Sequence, residues 1–137
     1  MGSSRRSMSG KNRDEYLSLR RRFTPERISI IVIAESPPVS GLYFYDPSGT
    51  VREPLYAATM KHLRLSPANK ESGLSDFQRN GWLLVDATSE PVNTLDNSER
   101  DRVIARDYPL LRDDLEALIV DRSTPLVLIK ANVCRIL

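Results

Sequence analysis

The stretch Ile28-Ser29-Ile30-Ile31-Val32-Ile33-Ala34-Glu35 decides the fold. It is β-branched and apolar at nearly every position, without the alternation of a strand that has one wet face. Such a run suits a central parallel strand covered on both sides. Two further runs have the same character, Trp82-Leu83-Leu84-Val85 and Pro125-Leu126-Val127-Leu128-Ile129. Segments with helical signals separate them, so βαβ units and a mainly parallel sheet are expected, with helices over both faces. The expectation is a three-layer α/β sandwich. Residues 28–132 form most of it, within a single domain at 13–137 preceded by a flexible basic leader at 1–12.

Working outward, Asn12 is placed to cap a helix through Phe23, with Tyr16, Leu19 and Phe23 on one stripe. Pro25 redirects the chain. Residues 35–53 hold three prolines, two glycines and the aromatic triplet Tyr43-Phe44-Tyr45, and they read as a long loop. Long ordered loops in compact domains are usually functional. Pro54 suits the first turn of a helix reaching about Leu65. Ser75 and Gln78 have capping-box spacing for a short helical turn closed by Gly81. Ser98 is expected to cap one helix, and a second is expected near Asp107 with Pro109 in its first turn.

The 137 residues suffice to bury a substantial core, and 40% hydrophobic with 28% charged content sits in the ordinary range of soluble proteins. The net charge is only +2, but Arg5, Arg6, Lys11, Arg13 and Arg20–Arg22 crowd one end. That arm is a candidate phosphate or anionic-surface contact, and a solvated leader is the blander reading. Met1-Gly2-Ser3-Ser4 has the look of an expression scar. No apolar run approaches the ~20 residues of a membrane span. The single cysteine, Cys134, excludes an internal disulfide and a cysteine-rich zinc site. A cytoplasmic protein without cofactor or metal is expected.

Each strand-like run ends in a charge: Glu35, Asp86 and Lys130. Ligands of open α/β sheets bind beyond the carboxyl ends of the strands, so neighbouring strands would gather these three around one pocket. A carboxylate there activates water or stabilises a developing cation. The lysine would lower carboxylate pKa values or hold an anion. The alternative is a set of solvating charges or a structural ion pair. At least one ring of the triplet is expected to point outward or over the pocket, where aromatic faces stack on nucleobases at ~1–3 kcal/mol each; plugging a domain edge is the commoner task. His62, between Lys61 and Arg64 on a helix, reads as a surface residue.

The string Ile33-Ala34-Glu35-Ser36-Pro37-Pro38 after an apolar strand resembles the first motif of the uracil-DNA glycosylase superfamily. Family forms of that motif read Gly-Gln-Asp-Pro-Tyr or Gly-Glu-Ala-Pro-Gly. The likeness extends loosely through residues 81–86 and 126–132, about a hundred residues in all. It implies that Glu35 takes part in catalysis and that Pro37 is the shared proline. It implies that Phe44 or a neighbouring tyrosine stacks on a flipped base, and that Asp86 lies within one residue of the position reading the base edge. Ser36 falls where one form has its catalytic aspartate, and Ala34 replaces the first glycine. The family's histidine-containing last motif and fourth strand have no counterpart in these residues.

The candidate site is therefore Glu35 and Asp86 as catalytic residues, with Ser36, Pro37, Pro38, Tyr43, Phe44, Tyr45, Lys130 and Asn132 as substrate contacts. DNA or a nucleotide is the expected partner. A non-catalytic binding module of the same fold is one alternative. A small-molecule hydrolase using Asp86, Lys130 and Cys134 is another. Cys134 is four residues from Lys130, unlike the distant nucleophiles of nitrilases and isochorismatase-like hydrolases, so a buried cysteine is the simpler reading.

Overall fold

A computed structural model of the chain describes residues 11–119 and 123–129. Strands β1 (Ile30–Ala34), β2 (Trp82–Asp86) and β3 (Leu126–Leu128) form one parallel sheet in the order β2-β1-β3. Among the described residues four helices accompany it: α1 (Arg13–Arg22), α2 (Pro54–His62), α3 (Lys70–Arg79) and α4 (Asn97–Leu118). The molecule is an α/β fold with a small open sheet.

Register explains the core. Ile31 and Ile33 lie beside Leu83 and Val85 of β2 and beside Leu126 and Leu128 of β3. Alternation puts all six on one face, where Leu111 and Leu115 of α4 approach Ile33 and Leu128. The opposite face carries Trp82 and Leu84, and Phe77 of α3 meets Trp82 edge-on at 5.8 Å. Ile31, Ile33, Leu83, Leu84 and Val85 are all buried. The expected buried third strand is different. Leu126 and Val127 are 46% and 43% exposed, since among the described residues β3 has a neighbouring strand on one side only.

The helix ends follow from local chemistry. Asn12 Oδ1 accepts the Glu15 amide while Glu15 Oε1 accepts the Asn12 amide, both at 2.9 Å, closing a capping box on α1. Helix α3 starts earlier than Ser75 suggested. Asn69 Oδ1 accepts the Ser72 amide at 2.8 Å, and Ser75 lies inside the helix. Gly81 does close it, with φ of +78° and no room for a Cβ between Ser29 and the Arg27 carbonyl.

Helix α4 is one element, capped by Asp96, where two were expected. Pro109 lies inside it. Proline cannot donate to the Ala105 carbonyl, but Ala105 and Pro109 both face solvent, where water can serve that oxygen. His62 is exposed on the last turn of α2, as expected.

The loop at 35–53 is fastened at its far end by a buried ion pair. Lys70 Nζ donates to Glu53 Oε1 at 2.7 Å and to the Tyr43 carbonyl at 2.6 Å, and the Lys70 side chain has no exposed surface. Glu53 Oε2 accepts the Thr50 amide at 2.8 Å. This explains why Glu53, at the N-cap of α2, makes no side-chain cap bond. Gly49 is required beside it, since a Cβ there would fall on the Glu53 carboxylate.

Candidate functional site

Glu35 follows β1 and Asp86 ends β2, and register makes them neighbours. Ala34 lies opposite Asp86, and the ladder continues past the strands through Ala87 N to Ala34 O at 2.8 Å and Thr88 N to Glu35 O at 3.1 Å. Both acids line one cleft of about 530 Å³ beyond the carboxyl end of the sheet, within the size range of small-ligand sites. Ser36, Pro37, Pro38, Tyr43 and Phe44 line it too. The structure thus gathers seven of the sequence-derived site residues around one opening.

Glu35 is 6% exposed, and its Oε2 is buried with no hydrogen-bond partner among the described residues. A buried carboxyl oxygen left unsatisfied is costly, so it marks a place where a ligand or water donor belongs. Asp86 is half-buried. Desolvation pushes its carboxyl up to about 7, against the opposing pull of the Arg20 guanidinium.

Arg20, buried on the inner side of α1, grips Asp114 of α4 in a bidentate pair at 2.8 and 2.9 Å. Its Nε has no partner among the described residues. Between these groups lies a chamber of about 40 Å³ bordered by Arg20, Asp86, Asp114 and Tyr16, large enough for water.

The aromatic triplet is buried, the plugging task rather than the base-stacking one of the two open to it. Tyr43 and Phe44 border the cleft but are only 4% and 3% exposed. Tyr43 Oη donates to the Tyr16 carbonyl at 3.2 Å. Phe44 packs edge-on against Phe77 at 5.3 Å. Tyr45 lines no part of the cleft and has no exposed surface. Its Oη accepts the Leu84 amide at 2.8 Å, serving the edge of β2 that faces away from β1. Tyr45 is therefore a core residue rather than a substrate contact. Burial pushes the phenols of Tyr43 and Tyr45 above their ordinary range.

Ser36 is also committed structurally: its Oγ donates to the Pro37 carbonyl and accepts the Val92 amide. Asn93 Oδ1 accepts the Val39 amide at 2.9 Å, so the loops after β1 and β2 hold each other in place. Lys130, Asn132 and Cys134, and most of the basic leader, lie outside the described residues. Sequence reasoning missed Leu42, Leu55, Asn93 and Ile129 as parts of the cleft. Only Ile129, beside Lys130 at a strand end, carried a signal.

Among the described residues no acidic, histidine or cysteine cluster could hold a metal ion, and no helix is long and apolar enough to cross a membrane. In comparisons with known proteins, no family model, curated protein or solved structure matches the chain.

Proposed function

We propose that this chain is a divergent uracil-DNA glycosylase-like module that accepts a flipped base between Glu35 and Asp86. One observation carries the reading: carboxyl groups beyond two adjacent parallel strands share a cleft, and one has a buried oxygen awaiting a partner. Two carboxyl groups in unlike surroundings divide acid and base duties, as in glycoside hydrolysis generally.

The chemistry assigns a role to each group. The bond from C1′ of the sugar to the base nitrogen breaks, and its electron pair leaves with the base. Asp86, holding a proton in part of the population near pH 7, protonates the departing base. Glu35 stabilises the cationic sugar and directs water to C1′, taking the water's proton, so the products are free base and an abasic site. Extrusion of the base from its stack costs a few kcal/mol, least in single strands. The basic residues Arg5, Arg6 and Arg13 supply phosphate contacts that the acidic cleft lacks.

The test is release of free uracil from single- and double-stranded DNA carrying deoxyuridine at low salt. Release that disappears in Glu35→Gln, with binding that weakens steeply from low to physiological salt, is the expected result. Salt-sensitive binding without release favours a non-catalytic module of the same fold. Absence of both removes nucleic acid from consideration.

A further inference from the structure

Two spaces meet at Asp86. It borders both the cleft and the chamber of about 40 Å³, and Pro37 and Tyr43 complete the shared wall. Tyr43 has committed its hydroxyl to the Tyr16 carbonyl, so Asp86 is the group in that wall able to pass a proton. An acid that gives up its proton there becomes a carboxylate in desolvated surroundings, a costly state without a compensating charge.

Among the described residues, the titratable groups around Asp86 come from three directions. Glu35 and Tyr43 follow β1, Arg13, Tyr16 and Arg20 belong to α1, and Asp107 and Asp114 belong to α4. Asp107 is taken by Arg106 and the Thr88 hydroxyl, and half-exposed Arg13 acts on Asp107. Arg20 is placed differently. It is 8% exposed, Asp114 holds both of its terminal nitrogens, and its Nε has no partner among the described residues. A buried N–H donor left unpaired beside a water-sized space marks a place for ordered water. Desolvation raises the Asp86 carboxyl, and Arg20 is the described cation that draws it back.

Building on the reading of Asp86 as the acid of the cleft, we infer that Arg20 is its positioning residue. Clamped by Asp114, Arg20 offers Nε to the chamber and, through water there, offsets the charge Asp86 acquires when its proton passes to the departing base. The proton that Glu35 takes from water returns to solvent, and Asp86 regains one, so the cycle balances.

The experiment is carbon-13 nuclear magnetic resonance of the aspartate carboxyls in the whole chain over a pH series, with Asp86 assigned by the signal lost in Asp86→Asn. Arg20→Gln removes the cation and should raise the Asp86 titration by about one pH unit or more. Asp114→Asn breaks the same clamp but keeps the cation, and should not raise it. The double variant Arg20→Gln with Asp114→Asn strands no buried charge and should also titrate high, so it decides if Arg20→Gln melts early. An Asp86 titration that stays or falls without Arg20, or rises equally in Asp114→Asn, overturns the assignment and leaves the pair a structural clamp. In the uracil-release assay, the decline of rate with rising pH should move upward in Arg20→Gln along with the titration. A decline that stays in place overturns the part of Arg20 in the reaction. If the titration moves as stated but the unaltered chain releases no base, Asp86 as an acid is overturned while its pairing with Arg20 stands.

Discussion

Replacing Lys70 by methionine removes a cation whose side chain has no exposed surface and leaves the Glu53 side chain, 5% exposed, with a buried charge. Glu53 would keep only the Thr50 amide, and the Tyr43 carbonyl would lose its donor. Breaking one side of a buried pair costs about 3–5 kcal/mol, against a total stability of roughly 5–15 kcal/mol for a domain of ordinary size. At about 3 °C per kcal/mol, melting should fall by roughly 10–15 °C. Replacing both partners, as in Lys70→Met with Glu53→Leu, removes the stranded charge and should return to within about 2 kcal/mol of the unaltered protein. Trp82, the only tryptophan, packs on Phe77 and reports unfolding by fluorescence in urea. A cost below 1 kcal/mol for Lys70→Met, or a double variant no better than the single one, would refute the view that the loop at 35–53 depends on this pair.

Tyr45→Phe should cost about 1–3 kcal/mol in the same urea assay, since the buried Leu84 amide loses the hydroxyl that accepts it while ring packing is retained. Asp86 has a clear pH signature. Its folded value is about 7 and its unfolded value about 4, so the folded state binds the proton more tightly. Stability from that proton is complete below about pH 4 and is lost as pH rises through about 7. Asp86→Asn should therefore flatten the decline of urea midpoints between those values and be more stable above pH 7. Asp46 and Asp107, whose carboxyls are held below the usual range by hydrogen bonds, charges and in Asp107's case Arg106, run the opposite way and are unchanged in the variant, so the difference isolates Asp86.

The sheet was legible because burial on both faces forces continuous apolar runs, and Ile30–Ala34 and Trp82–Asp86 are such runs. Asn12 and Pro54 were legible because caps and first turns depend on nearby residues alone. The Ser75 and Pro109 signals misled for a related reason. Asn69 offers a stronger cap six residues before Ser75, and the solvent-facing position of Pro109 spares α4 from breaking there. Within the site, Glu35 and Asp86 stood out because strand ends are fixed by the runs before them. Lys70 with Glu53 and Arg20 with Asp114 left no mark in periodicity, because such pairs join residues distant in sequence. The triplet at 43–45 plugs the core, the commoner task, and only the outward-pointing ring inferred from the lack of alternation is missing. A loop folded back over an edge strand can bury consecutive rings on different neighbours, and here it does.

The most direct measurement is nuclear magnetic resonance of the ¹⁵N-labelled chain during titration with a short single-stranded oligonucleotide containing deoxyuridine. Amide shifts should centre on residues 35–44 and 86–93, and Glu35→Gln should suppress them while a surface substitution at His62 leaves them intact. Shifts spread over α2 or α3 and indifferent to Glu35 would place binding elsewhere and contradict the assignment of the cleft.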